Sequence, residues 1–468
     1  MNEKAKAARK LHIPHVYVLM MAIVLICAVC TYLVPAGQYD RVQGSSGQEV
    51  VDPNSFHYIE QSPIGLLDGL GAIPQGLTDS AALIFLIFIL GGAFEVLQET
   101  GAIHNGVALL ARKLAGKEFI IIPVMMFLFS MGGALYGMAE ETIPFIPIMI
   151  MLVTSLGYDS LTGAAIVMAG STAGFASAFI NPFTMGLAQG IAGLPLLSGM
   201  WFRIIVYVCM ITLTIAYVMR YALKVKKHPE LSTVRAIDKA REDKLDLKNV
   251  QKLTAGQILV LITFFGTIGL LIFGVLSYGW YVKELSALFF GMSILAAVFT
   301  RMPLNKYGET LVRGMCGIAG GALAVGFARG ILVVLEQGNI LDSILNAIAT
   351  GVSWLPPQIT AIGMYLFQCL LNFLIPSGSA QAAVSMPIMA PLSDLVGVTR
   401  QTAVLAYQLG DGISNILTPT SGLLMASLAM AKIPWGKWAK FIIKLILLQY
   451  LLGAVFIVIA QMIHLGPF

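Results

Sequence analysis

Charge is what this sequence has least of. Asp, Glu, Lys and Arg supply 11% of its 468 residues and hydrophobic residues 57%, whereas soluble proteins carry roughly 25% charge. That scarcity excludes a water-soluble fold. Cysteine is scarce too: Cys27, Cys30, Cys209, Cys316 and Cys369 all fall inside apolar runs, which argues against a disulfide framework or a structural zinc site. Cys27 and Cys30 share a C-x-x-C spacing, but no His or second pair lies nearby, so they read as small packing residues. No G-x-x-x-x-G-K-[ST] loop is present, which leaves ATP-driven transport by this chain unsupported. No H-E-x-x-H or nucleophile–base pair suggests an enzyme. Neither a metal nor a cofactor is expected beyond Na+ or H+ as a coupling ion. The net charge of +5 does not point to nucleic acid, because the basic residues cluster beside apolar runs in the positive-inside pattern.

What the sequence does contain is a series of long apolar stretches, from 16–34 to 441–462, and about 20 apolar residues suffice to cross a bilayer. The first run follows Lys4, Lys6, Arg9 and Lys10 and, without a convincing cleavage site, reads as a retained helix. The positive-inside rule puts this N-terminus in the cytoplasm. Segment 36–79, with Arg41 as its only Lys or Arg, is then outside, and a helix at 80–98 returns to Arg112, Lys113 and Lys117. Segment 224–252 is the most charged in the chain and reads as a cytoplasmic linker between a first repeat, 1–223, and a second, 253–468. The last helix leaves the C-terminus outside. The setting expected is a bacterial inner membrane, crossed many times.

Within each repeat the apolar pattern is interrupted. Segment 118–157 is too long for one crossing and breaks at Gly132, Gly133 and Gly137 before Glu140-Glu141, which describes a re-entrant hairpin open to the cytoplasmic side. Non-helical backbone at that depth is tolerated only where protein or a cavity receives it. The run 161–192 is broken at Asn181-Pro182. In the second repeat, helices at 254–276, 285–300 and 315–335 precede an outside segment, 337–357, that holds Trp354 and no Lys or Arg. A second hairpin, 359–397, faces outside; a broken helix, 402–430, and a basic turn (Lys432, Lys437, Lys440) lead to the last helix. The expected fold is therefore all-α integral membrane, with two re-entrant hairpins and about nine transmembrane helices at roughly 20 residues each.

The halves align at a spacing of about 240 residues: Ile146-Pro147-Ile148-Met149 recurs as Met386-Pro387-Ile388-Met389, Gly157 as Gly397, Gly170 as Gly410, and Glu99-Thr100-Gly101 as Glu336-Gln337-Gly338. Hairpins facing opposite sides make the repeat inverted. That is the signature of an alternating-access transporter with its substrate site near the midplane, where the copies meet.

The interruptions carry the chemistry. Broken helices free amides for a carboxylate and carbonyls for a cation. The first hairpin tip offers Tyr136, Gly137, Glu140 and Glu141, and the first break Asn181, Pro182 and Thr184. The second tip offers Ser377, Gly378, Ser379 and Gln381, and the second break Asn415, Thr418, Pro419, Thr420 and Ser421. All are candidate substrate-binding residues, while Asp411, Ser414, Asn415 and Ser377 are candidates for a coupling ion. A single Ser or Thr in a membrane helix ordinarily bonds its own backbone, but a cluster recurring at matched positions is harder to explain that way. Asp411 is the sharpest case, since an intramembrane carboxylate is costly; pairing with Arg329 is the competing explanation. Glu140 and Glu141 correspond to neutral Ala380 and Gln381 in the other repeat. That asymmetry suits an amino acid, with its cationic end toward the acids and its carboxylate toward the hydroxyls. Glu95, near the cytoplasmic end of its helix, reads as snorkelling or as a helix–helix partner, and His104 as interfacial.

At Gly137-Met138-Ala139-Glu140-Glu141-Thr142, Ile375-Pro376-Ser377-Gly378-Ser379-Ala380-Gln381 and the stretch from Asp411 to Gly422, the sequence resembles the YfcC-like branch of the anaerobic four-carbon-dicarboxylate carrier family, within the ion transporter superfamily. The resemblance implies a homodimer, each subunit with a scaffold part and a transport part of two hairpins and two broken helices. It also implies elevator-type motion driven by an ion gradient or exchange, as a symporter or antiporter. The family includes dicarboxylate carriers, while its YfcC-like members are described as carriers of basic amino acids such as arginine and ornithine. The Glu140-Glu141 pair favours the cationic substrates; a channel or a membrane receptor remains the reading from another class.

Overall fold

The computed structural model describes residues 16–43, 49–52, 55–113, 118–241, 253–278, 280, 282–352 and 356–466. The basic head at Lys4 to Lys10, Lys117, Trp354 and the linker from 242 to 252 lie outside the described residues.

The chain opens with α1 (Val16–Leu33) and then four short strands, β1 (Gly37–Gln38), β2 (Arg41–Gln43), β3 (Glu49–Val51) and β4 (His57–Tyr58), paired antiparallel as β1–β4 and β2–β3. There follow α2 (Leu66–Asp79), α3 (Ala81–Glu99), α4 (Ala102–Lys113), α5 (Glu118–Tyr136), α6 (Phe145–Ser155), α7 (Ser160–Ala176), α8 (Leu187–Ile191), α9 (Met200–Lys227) and α10 (Arg235–Ala240). The second half holds α11 (Ala255–Tyr278), α12 (Val282–Phe299), α13 (Leu304–Gln337), α14 (Leu341–Val352), α15 (Pro357–Leu374), α16 (Gly378–Leu395), α17 (Arg400–Ser414), α18 (Gly422–Ala431) and α19 (Trp435–Met462). Among the described residues, α3, α9, α12, α13 and α19 are the five helices both long and apolar enough to cross a membrane whole.

Backbone geometry repeats between the halves where the sequence does. Gly157 and Gly397 both take positive φ, +87° and +72°, just past α6 and α16. Two residues on, Asp159 and Thr399 accept hydrogen bonds from the amides of Thr162 and Thr402 as N-caps of α7 and α17, satisfying otherwise orphaned donors. Gly101 and Asn339, after α3 and α13, also share positive φ. In each half the helix before the interruption packs on the second helix after it, α5 on α7 and α15 on α17.

The two halves meet in two layers. In one, α13 packs along α1, α2 and α3, which also contacts α12. Gly76 of α2 faces the backbone of Gly326 and Gly330 on α13, an approach that side chains would prevent. In the other, α7 crosses α17 closely, Gly412 lying against Ala176. Gln408 of α17 donates to the Phe175 carbonyl at 2.6 Å, a bond between the repeats.

Several boundaries differ from the sequence expectations. Segment 36–79 contains α2, whose helical signal is interrupted by Pro74 and three glycines, and Tyr39 and Arg41 are tied to Asp342 of α14. Helix α13 begins eleven residues before the 315 expected, because Asn305, Lys306 and Glu309 in its first turns lack the apolar signal. Lys437 and Lys440 are helical, in α19, rather than in a turn. The first interruption begins at Ser177, before Asn181-Pro182, and resumes as a π-helical turn over Pro182–Gly186.

Candidate functional site

The helical interruptions converge on a cavity of about 1110 Å³. The first tip lies between α5 and α6. Its chain reverses through Gly137, whose φ of +74° and proximity to the Asn181 carboxamide leave no room for a Cβ. The Ser171 hydroxyl of α7 donates to the Met138 carbonyl at 2.9 Å, and the amides of Ile180 and Asn181 donate to the Ala134 carbonyl. Glu140, Glu141 and Thr142 then form a short 3₁₀ turn. Glu141 accepts a hydrogen bond from the Ala139 amide at 2.9 Å; neither acid has a basic partner among the described ion pairs. Both line the cavity.

The second tip, between α15 and α16, is built differently. Thr420 donates to the Phe373 carbonyl at 2.8 Å and Tyr407 to that of Gly378 at 2.7 Å. The break between α17 and α18 is braced from α19, where Trp438 and Trp435 donate their indole N–H groups to the carbonyls of Ile416 and Leu417 at 2.9 and 3.0 Å. Carbonyls freed by the interruption thus find partners, as buried backbone must.

Asp411 is wholly buried behind this tip. Its Oδ1 accepts from Asn372 at 2.8 Å and Asn415 at 3.1 Å, and its Oδ2 has no partner among the described residues. A Cβ on Gly378 would stand 2.8 Å from that Oδ2 and 2.6 Å from Thr184 Cγ2. Thr184 Oγ1 and Asn372 Oδ1 are buried and unpartnered as well. Three oxygen acceptors without a partner among the described residues, one of them a carboxylate's, are thus buried in the protein interior, and Asp411 and Thr184 both lie against Gly378. Such a donor set fits a cation or a proton, since unpaired buried oxygens are costly. Arg329 is not Asp411's partner; it pairs with Asp79 and Glu336.

Of the candidate residues, the cavity is lined by Gly137, Glu140, Glu141, Thr184, Ser377, Gly378, Ser379, Asn415, Thr420 and Ser421. Others lie behind it. Gln381 is buried and hydrogen-bonded to Gln368 and Asn372, Asn181 Oδ1 accepts from the Phe183 amide, and Thr418 bonds the Ser414 carbonyl. Tyr136 ends α5, Pro182 opens the π turn and Pro419 lies within the second break. Ser414 donates to its own helix at Gly410 and meets the Tyr450 hydroxyl, the local back-bonding that a lone helical serine favours. Glu95 pairs with Arg313 across α3 and α13 at 2.9 Å. Asn372 is not among the candidates read from the sequence, although the carboxamide pair Gln368 and Asn372, one helical turn apart in an apolar helix, is a signal for it.

A helical protein with several membrane-length apolar helices and a polar cavity among its broken ones has the architecture of a multi-pass membrane transporter. The profile of the DcuC family, described as C4-dicarboxylate anaerobic carrier, matches residues 13–462. The chain belongs to this family, whose members are transporters and not enzymes. It is 36% identical over 98% of both chains to YfcC of Escherichia coli (strain K12), provisionally named a basic amino acid antiporter. It is 28% identical, again over 98% of both, to an uncharacterised protein of Haemophilus influenzae (strain ATCC 51907 / DSM 11121 / KW20 / Rd). Among solved structures it is similar to the Alcanivorax borkumensis YdaH transporter (17% identity, 97% of this chain, 100% of that one, TM-score 0.44). It is similar too to Neisseria gonorrhoeae MtrF (18%, 97% and 96%, TM-score 0.44), of a class of antimetabolite efflux pumps.

Proposed function

We propose that the chain is a secondary active transporter of basic amino acids such as arginine and ornithine, working by exchange or ion-coupled symport. The observation that carries this is the lining of one cavity. Two adjacent glutamates without a basic partner sit in the first tip, and Ser377, Ser379 and Asn415 line the same cavity from the second tip and break. A cationic group would neutralise Glu140 and Glu141, and the hydroxyls and the amides at the N-terminus of α16 would take the carboxylate. Asp411, with Asn372 and Thr184, would hold the coupling Na+ or proton. The name borne by the Escherichia coli relative agrees. In this reading the tips are re-entrant hairpins, the chain forms a homodimer in the inner membrane with its N-terminus inside and C-terminus outside, and the tips and breaks move as an elevator against a scaffold containing α3 and α13.

A second reading, transport of a four-carbon dicarboxylate, is favoured by the family's description. It requires the two glutamates to be neutralised by sodium or protons. Counterflow in proteoliposomes with labelled arginine against labelled succinate separates the two, and saturable counterflow of either separates a carrier from a channel or receptor. The Glu140→Gln/Glu141→Gln variant is expected to lower arginine flux at least roughly tenfold, the scale of one lost charged hydrogen bond. Unchanged arginine flux would remove the glutamates from the site.

A further inference from the structure

Among the described residues lining this cavity, three carry charge: Glu140, Glu141 and Arg329. Arg329 belongs to α13, outside the tips and breaks. Its Nε lies 3.7 Å from Asp79 and its Nη2 3.6 Å from Glu336, near enough for charge attraction but beyond hydrogen-bond length. Its side chain is 36% exposed. Arg313, on the same helix, makes close bonds of 2.9 Å to both Glu95 and Glu99. A guanidinium has five N–H donors in a planar fork that matches a carboxylate bidentately. Here that fork borders a cavity whose other charged residues are two acids.

We propose that Arg329 receives the carboxylate of the incoming substrate, while the ammonium or guanidinium end reaches toward Glu140 and Glu141. This rests on the reading that the cavity is the substrate site, and deepens it. Asp79 and Glu336 hold the guanidinium only loosely, so that a substrate carboxylate improves on their bond lengths rather than breaking good hydrogen bonds. Because Arg329 lies on α13 and not on a tip, it acts on capture, and the hydroxyls of the second tip retain the carboxylate afterwards.

The test pairs each ligand with its analogue lacking one carboxylate: arginine with agmatine, and succinate with propionate. Binding to the purified full-length protein is measured for wild type, Arg329→Gln, Arg329→Lys and the charge-balanced Arg329→Gln/Glu336→Gln. In wild type, preference for the first pair supports the amino-acid reading and preference for the second overturns it, without deciding the role of Arg329. Within whichever pair binds, Arg329→Gln and the double variant are expected to weaken the ligand bearing the extra carboxylate roughly ten- to hundredfold and to leave its analogue unchanged. Arg329→Lys should recover part of the loss. Equal weakening of both members, or of neither, overturns the inference, and wild-type protein that binds no member of either pair overturns it together with the reading beneath it.

Discussion

Asp411 and the two glutamates solve the same physical problem differently. A carboxylate in an apolar interior needs partners; Asp411 finds the carboxamides of Asn372 and Asn415 on one oxygen and none on the other, while Glu140 and Glu141 stay at the cavity wall. Asp411→Asn keeps the shape and removes the charge. It is expected to leave the protein folded, by size-exclusion profile and thermal midpoint, and to abolish the dependence of uptake on a Na+ or pH gradient. Uptake that still follows the gradient would assign the ion elsewhere. Gly378→Ala tests the same spot sterically, because its Cβ would press on Asp411 Oδ2 and Thr184. It should weaken coupling-ion affinity at least roughly tenfold, a loss of about 1.4 kcal/mol, and an unaltered ion titration would show that the crowding is relieved without cost.

At the scale of elements, the breaks persist because other helices supply what the interrupted helix gives up. Trp438 and Trp435 bond the carbonyls of Ile416 and Leu417, and Ser171 bonds that of Met138. Trp438→Phe would leave a buried carbonyl without its donor, and a loss of about 1–3 kcal/mol is expected, read as a lowered melting midpoint in detergent. A midpoint equal to wild type would mean that water or another donor reaches Ile416. The interruptions themselves are legible in sequence, since Gly137 follows the end of α5, and Asn181-Pro182 and Thr418-Pro419 fall within the gaps after α7 and α17. The bracing is not, because an indole in α19 gives no sign of which carbonyl it will meet.

For the whole molecule, what matters is how the layer around α13 and α3 meets the tips and breaks. Gly422, which opens α18, would place a Cβ 2.9 Å from Val325 Cγ1 of α13. In the elevator motion proposed for this chain, these two residues would separate. Cysteines at both positions, bridged by Hg2+ or a short bifunctional reagent, should arrest counterflow and leave substrate binding intact, with thiol restoring flux. Full counterflow in the bridged protein would show that the α13–α18 contact stays fixed during transport.

The sequence by itself determined the membrane setting and the neighbourhoods in which helices break, because hydropathy and the Gly, Pro and Asn punctuation are local properties of the chain. Its repeat at about 240 residues reappears in the caps at Asp159 and Thr399 and in the positive φ of Gly157 and Gly397. Only the tertiary structure decided which polar residues share a space. It brought Glu140 and Ser377 to one cavity, turned Ser414 and Gln381 away from it, and joined Asn372 and Thr184 to Asp411 around Gly378. Those contacts link residues far apart in the chain through the packing of α7 on α17 and of α15 on α16. Periodicity sets which residues belong to a helix but not which neighbour each side chain will find.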